Sequence, residues 1–232
     1  MITVVLIEPQ NAGNIGAVAR AMKNFGLSEL LLVNPKSDHK SKEALDRASH
    51  AHNILEKAKK IPYSQLKKFD YVIGTTAVLG TDYNIPRSPL NPEQLGRKVS
   101  GMRGRIALLF GRENRGLSNN EINNCDFVVT IPASREYSTL NITHSAAIIF
   151  YEIMKYAGTK KSNDHIVFST KKEKEVALGY VNKILGRLEF STPEKKDTQK
   201  IVWKRMIGKA MLTKREAFAL IGFFRKLLKM KS

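Results

Sequence analysis

Short runs of apolar, mostly β-branched or aromatic residues recur along the first two thirds of the chain: ITVVLIE (2–8), ELLLVN (29–34), DYVIGTT (70–76), RIALLF (105–110) and DFVVTI (126–131). They are nearly unbroken, which predicts strands buried on both faces. Helical patterning fills the gaps at 17–25, 41–59, 91–98, 118–124 and 141–156, with Asn91 and Ser118 placed as N-caps. This alternation predicts an α/β domain whose parallel sheet carries helices on both faces. Residues 158–165, GTKKSNDH, hold no apolar side chain and read as a linker. Beyond them the strand signal ends. Residues 173–188, 198–212 and 214–230 pattern as three amphipathic helices with Lys and Arg on their polar faces. A unit of about 70 residues makes a marginal core alone. It is therefore expected to pack on the first domain, on a second subunit or on RNA. The division is a domain over 1–158, a linker over 159–169 and a basic helical extension over 170–232.

Charge sharpens this picture more than overall composition does. A hydrophobic fraction of 42% beside 26% charged residues is ordinary for a globular protein of 232 residues. No apolar run is long enough to span a bilayer, and MITVVLIEPQ lacks the basic segment and cleavage site of a signal peptide. A cytoplasmic location is expected. The net charge of +18, with an isoelectric point near 10.0, implies a polyanionic partner, most simply nucleic acid. Residues 1–158 hold 20 Lys and Arg against 14 Asp and Glu, a net +6. Residues 159–232 hold 19 against 7, a net +12. That asymmetry marks the extension as an electrostatic module. The single cysteine, Cys125, excludes an intramolecular disulfide and is expected to be a buried hydrophobe. The five histidines (39, 50, 52, 144, 165) form no HExxH pattern, and no metal is expected.

Candidate chemistry gathers where strands end. LLFGRENRGLSNNEI (108–122) resembles a phosphate loop, with Gly111 and Gly116 five apart, but Leu117 and Ser118 stand where a Walker loop needs Lys and then Ser or Thr. Three further polar loops leave strand ends: EPQNAGNIGAVAR (8–20), GTTA (74–77) and IPASREYSTLNITHSAA (131–147). Ligands of open α/β sheets bind at such ends, so four in succession predict a polar crevice.

NIGAVAR (14–20), FGRENRGL (110–117) and STLNITHSAA (138–147) resemble, in order and spacing, the three motifs of the SPOUT RNA methyltransferases, in the branch that methylates ribose 2′-oxygens. The text around the first motif, EPQNAGNIGAVARAMKNFGLSELLLVNP, is most similar to the TrmJ group, which acts at tRNA position 32 in the anticodon loop. The resemblance covers 1–157 well and the extension more loosely. It implies a C-terminal trefoil knot, which periodicity would not suggest. It also implies a homodimer, S-adenosylmethionine as methyl donor with S-adenosylhomocysteine as product, and tRNA as substrate, methylated on cytidine and in some members uridine. An RNA-binding module without catalysis and a sibling enzyme acting on ribosomal RNA are the other readings. The C-terminal place of the extra module favours the tRNA group.

The resemblance implies a role for each motif residue. Arg20 stands at the attacked hydroxyl, with Asn14 nearby. A guanidinium is so weak an acid that a general-base role demands an unusual environment. Binding the adjacent phosphate and stabilising the developing alkoxide is the milder role, and the preferred one. Glu113 lies in the catalytic pocket and orients Asn14 or Arg20. Asn141 lines the site and caps the last helix. Cofactor contacts are implied for Thr75, Thr76, Ala77, Gly111, Gly116, Ile131, Ser138, Thr139 and Leu140, with the two glycines admitting the ligand to the backbone. Relatives read Ser-Leu-Asn where this chain has Thr139-Leu140-Asn141, so a methyl group is added beside a retained hydroxyl. It narrows nucleotide choice if that hydroxyl positions substrate, and changes nothing if it only caps a helix. Tyr137 and Phe25 are expected to be core residues. Trp203, beside Lys204 and Arg205, is assigned to RNA stacking or to dimer packing.

Overall fold

The computed structural model describes residues 1–77, 89–134, 136–157 and 167–230. Six strands, β1 (Ile2–Ile7), β2 (Glu29–Val33), β3 (Lys59–Ile61), β4 (Tyr71–Thr75), β5 (Ile106–Phe110) and β6 (Phe127–Val129), make one sheet in the order β3-β2-β1-β5-β4-β6. Every pairing is parallel. The unbroken apolar runs are explained by two-sided burial. Val4 and Leu6 of β1, with Leu108 and Phe110 of β5, face the larger core. Val5, Ile7, Ala107 and Leu109 face the smaller one. Helices α1 (Ala12–Asn24), α2 (Lys42–Ala48), α3 (His52–Lys57), α4 (Pro92–Ser100) and α6 (Ile142–Ala157) supply the larger core. The other face is covered by a 3-10 segment (Tyr63–Lys68) and the short helix α5 (Asn119–Asn123). Cys125 is fully buried there, and burial pushes its thiol up to about 12, so it is an inert hydrophobe at neutral pH.

In the first domain the structure departs from the sequence pattern in two places, and small residues explain the first. Helix α1 starts at Ala12, with Asn11 as N-cap, five residues before the pattern predicts. Gly13 and Gly16 read as turn residues, yet they mark a helix–helix contact. A Cβ on Gly16 would lie 2.0 Å from the Ala44 carbonyl oxygen of α2. The helix predicted over 41–59 is instead broken after α2. Ser49 takes a φ of 51° there, a 3-10 turn and α3 follow, and the chain ends in β3. Lys59 and Lys60 of this edge strand are exposed.

The three C-terminal helices are α7 (Lys171–Arg187), α8 (Pro193–Lys209) and α9 (Lys214–Lys229). Helix α8 begins earlier than its apolar spacing suggests, because Thr192 caps it and Pro193 occupies its first turn. Trp203 is half-buried. It meets Phe224 edge-on at 5.4 Å inside the three-helix unit. Tyr137 is 79% exposed rather than core, whereas Phe25 packs against the larger core. Of the linker expected at 159–169, residues 159–166 lie outside the described residues.

The helical unit packs on the first domain, one of the three docking surfaces expected for it. Lys171 Nζ donates to the Phe69 carbonyl at 2.7 Å, Lys174 Nζ stands 3.6 Å above the Tyr71 ring, and Lys98 Nζ donates to the Lys209 carbonyl. These contacts lie at the N-terminal ends of β4, β5 and β6, away from the loops that leave their C-terminal ends. Among the described residues no helix is long and apolar enough to cross a membrane.

Gly16→Ala is expected to force α1 from α2 and lower unfolding stability by about 1–3 kcal/mol, the usual range for overpacking. Urea unfolding of the purified variant measures it, and an unchanged midpoint would show that the contact yields freely.

Candidate active site

Four chain segments converge at the C-terminal ends of the strands, around the point where strand order reverses between β1 and β5. After β1, Glu8 takes a φ of 46° and turns the chain into the N-terminus of α1. There Asn11 Oδ1 accepts from the Asn14 amide at 2.8 Å. After β5 the chain folds back on itself, and Arg112 and Gly116 exchange backbone hydrogen bonds of 3.2 and 2.8 Å. This fold-back explains both glycines. A Cβ on Gly111 would lie 2.1 Å from the Gly116 carbonyl carbon, and Gly116 has a φ of +64°. The loop itself thus requires both glycines, and both also border the cavity described below.

Glu113 ties this loop to α1. Its carboxylate accepts from the backbone amides of Gln10 and Asn11 at 3.0 and 3.1 Å. It also accepts from Asn14 Nδ2 at 3.2 Å. Asn14 Oδ1 lies 3.5 Å from Asn141 Nδ2, and Asn141 Oδ1 accepts from the Thr143 amide at 2.8 Å, capping α6. Asn14, Glu113 and Asn141 therefore meet from three different elements. Arg20 does not join them. It is exposed on α1, six residues beyond Asn14 and about 9 Å along the helix axis, and it makes no hydrogen bond or ion pair with the described residues.

Beside this network lies a cavity of about 270 Å³. Thr75, Thr76 and Ala77 line it from the end of β4, with Thr76 N–H bonded to Val129 O at 3.0 Å. Gly111, Glu113 and Gly116 line it from the β5 loop, and Ile131, Ser138, Thr139 and Leu140 from the segment entering α6. Every residue to which a cofactor contact was assigned thus borders one cavity. Phe110, Leu117, Val129, Ile142 and Ile149 add apolar walls, and Asn114, Arg115 and Ser145 add polar ones. Sequence reasoning missed these. Ser145 was within reach, being four residues after Asn141 and so on the same helical face.

It also missed the ion cluster under the loop. Arg112 Nε donates to Glu8 at 2.9 Å, and its two terminal nitrogens grip Glu121 at 3.0 and 3.1 Å. Hydrogen bonds to Glu121 and Glu8 push the Arg112 guanidinium further up. The bond from Arg112 holds Glu8 below the usual carboxylate range. Burial alone would raise Glu121, but bonds from Arg112 and Ser118 outweigh it and the carboxyl is lowered. Arg112 is thus neutralised from two sides. With apolar walls, hydroxyls and backbone around it, the cavity fits a heteroaromatic ligand with hydroxyl groups better than a triphosphate. Among the described residues no cluster of His, Cys, Asp or Glu is placed to hold a metal.

Because both carboxyls are lowered on folding, their contribution is complete above the ordinary value of 4.5 and fades as pH falls through their folded values. Arg112→Met is expected to flatten the loss of stability below that pH. Thermal melts across an acid pH series check it, and parallel curves for variant and wild type would detach the cluster from acid stability.

The sequence matches the SpoU rRNA Methylase family over residues 1–151. It is 36% identical over 228 residues to a protein of Methanocaldococcus jannaschii named tRNA (cytidine-2′-O-)-methyltransferase TrmJ, covering 97% of this chain and 99% of that one. A Pseudomonas aeruginosa protein named tRNA (cytidine/uridine/adenosine-2′-O-)-methyltransferase TrmJ is 33% identical, with 95% and 91% covered. Among solved structures, TrmJ from Z. mobilis superposes with a TM-score of 0.71 at 27% identity, covering 99% and 100% of the two chains. A probable methylase family protein from Haemophilus influenzae gives 0.67 at 29%, covering 98% and 96%. With its parallel sheet, its cavity at the strand ends and a match over most of its length, the chain belongs to the SpoU rRNA Methylase family.

Proposed function

We propose that this chain is an S-adenosylmethionine-dependent tRNA methyltransferase acting on the ribose 2′-hydroxyl of a pyrimidine at anticodon-loop position 32, cytidine alone or cytidine and uridine. The observation that carries the reading is the meeting of Asn14, Glu113 and Asn141, one from each motif, beside a cavity bordered by the second and third motifs. The tRNA enzymes named above match over the extension as well as the domain, which favours tRNA over ribosomal RNA. S-adenosylmethionine supplies an electrophilic methyl group on a sulfonium, so the protein's main tasks are alignment and activation of the hydroxyl. Thr75, Thr76, Ala77, Ile131, Ser138, Thr139 and Leu140 would hold the cofactor through backbone, hydroxyl and apolar contacts, with the loop from Gly111 to Gly116 as the facing wall. Glu113 holds the Asn14 amide, and Asn14 and Asn141 present polar atoms to the ribose. Arg20, exposed on α1, is free to take the adjacent phosphate and stabilise the forming alkoxide.

The reading extends to three larger features. The first is a trefoil knot in the last part of the domain. What supports it is that α6 returns to pack on α1 and α4 although β6 is an edge strand. The second is a homodimer formed through α6, on which Ile148, Tyr151 and Met154 are 38%, 49% and 43% exposed at one-turn spacing. The third is contact between the extension and RNA phosphates. Lys214, Arg215, Arg225 and Lys226 point outward from α9 beside exposed Phe218 and Phe223.

Labelled S-adenosylmethionine, incubated with unmodified tRNA and ribosomal RNA and followed by nucleoside analysis, is expected to give a 2′-O-methylated pyrimidine in the tRNA anticodon loop. Label in ribosomal RNA alone would replace the substrate. Arg20→Ala is expected to keep cofactor binding and lose transfer by about 10²–10³-fold, the scale for removing one stabilising donor. Near-normal turnover would remove Arg20 from the mechanism. Tyr151→Glu is expected to halve the mass seen by sedimentation, and an unchanged mass would move the interface elsewhere.

A further inference from the structure

Helix α5 has five residues, too few to hold its place by its own hydrogen bonds. It is fixed at both ends instead. At its start, Ser118 and Glu121 form a capping box, and Glu121 carries the two bonds to Arg112. At its finish two of its carbonyls are met by cations from α8. Arg205 Nη2 donates to Ile122 O at 3.2 Å and Lys204 Nζ to Asn123 O at 3.0 Å. Positive charge at a helix C-terminus is the favourable arrangement. The turn after α5 is packed as closely. Cys125 Sγ bonds to Glu121 O at 3.2 Å, and a Cβ on Gly74 would lie 2.8 Å from that sulfur. Gly208 of α8 leaves similarly little room, since its Cβ would lie 3.1 Å from Asp126 O.

We propose that α8 is a brace for the cavity loop, with Arg205 and Lys204 as positioning residues that act through α5, Glu121 and Arg112. The extension then serves the cofactor site as well as RNA. For the ligand measured, this rests on reading the cavity as the S-adenosylmethionine site. The brace is costly to the fold. Arg205 is 3% exposed, its Nε and Nη1 have no hydrogen-bond partner, and burial lowers its affinity for its proton, as it does for Lys204. Replacing such a cation by an apolar residue of similar volume is often neutral or stabilising. A purely structural role and a positioning role therefore predict different outcomes. Removal of residues 159–232 should therefore disturb the cofactor pocket.

The test compares the full chain with Arg205→Met and Arg205→Lys. Arg205→Met is expected to melt at or above the wild-type temperature while binding S-adenosylhomocysteine about tenfold more weakly in calorimetry, the scale of indirect coupling. Its tRNA affinity should change less than twofold, and Arg205→Lys should restore part of the loss. Glu121→Gln combined with Arg205→Met should be less than additive, because both act on one path. Wild-type affinity in a folded Arg205→Met overturns the brace. If that variant fails to fold, Lys204→Met decides by the same measurements. Hydrogen exchange separates this proposal from the functional one. If the wild type binds no S-adenosylhomocysteine, the functional reading falls, yet faster exchange at the Leu117 and Ser118 amides in Arg205→Met still upholds the brace. Unchanged exchange there removes it.

Discussion

The carboxylate of Glu113 is the fastening on which the geometry of this site depends. It stands on a loop after β5, yet all three of its recorded donors come from the start of α1. Two of the three are backbone amides, whose positions follow the chain rather than a side-chain rotamer. The carboxylate therefore sets where α1 begins as well as where Asn14 points. Through Asn14 the same constraint reaches Asn141 and the first turn of α6. A hydrogen bond to a carboxylate is roughly twice as strong as one between neutral groups, which suits a junction between three separately built elements.

The molecule uses the two ends of its sheet differently. At the C-terminal ends the charges are paired off: Glu113 with amides, Arg112 with Glu8 and Glu121. The cavity is left lined mainly by backbone, hydroxyls and apolar side chains, with the exposed Arg115 on one wall. At the N-terminal ends cations are in excess, with Lys98, Lys171, Lys174, Lys204 and Arg205 brought against carbonyl oxygens and an aromatic ring. The extension docks there by hydrogen bonds to main-chain acceptors more than by ion pairs. Helix α5 runs between the two regions, which gives a helix of five residues an influence beyond its size.

How much of this was legible follows from the kind of signal each part leaves. Five strands were legible because burial on both faces writes an apolar run. The three residues of β3, two of them lysines, write none. Gly13 and Gly16 misled because a glycine that permits a turn and a glycine that permits close helix packing look alike in sequence. The residues bordering the cavity were named from a resemblance, and they do share one cavity. The polar loops at strand ends foretold a crevice holding Thr75, Gly111 and Ser138, but only the resemblance singled these residues out. Gln10 and Asn11 stayed invisible because they serve Glu113 through backbone amides. Arg112 was not singled out because Glu8 is brought to it by the sheet and Glu121 by the fold-back of the loop. The helices of the extension were legible from amphipathic spacing, whereas their docking face, formed by cations, looked like solvent-exposed surface.

The contacts of Glu113 also set a timetable. They join residues 103, 102 and 99 positions apart, and Asn14 meets Asn141 across 127. Contacts this distant in sequence must close large loops before they stabilise anything, which slows folding. A chain leaving the ribosome at 5–20 residues per second spends on the order of ten seconds with α1 made and its partners still unmade. A product stopped before Asn141 would carry all six strands and still lack the third side of the site. Interrupted synthesis therefore yields an inactive sheet rather than a partly active enzyme.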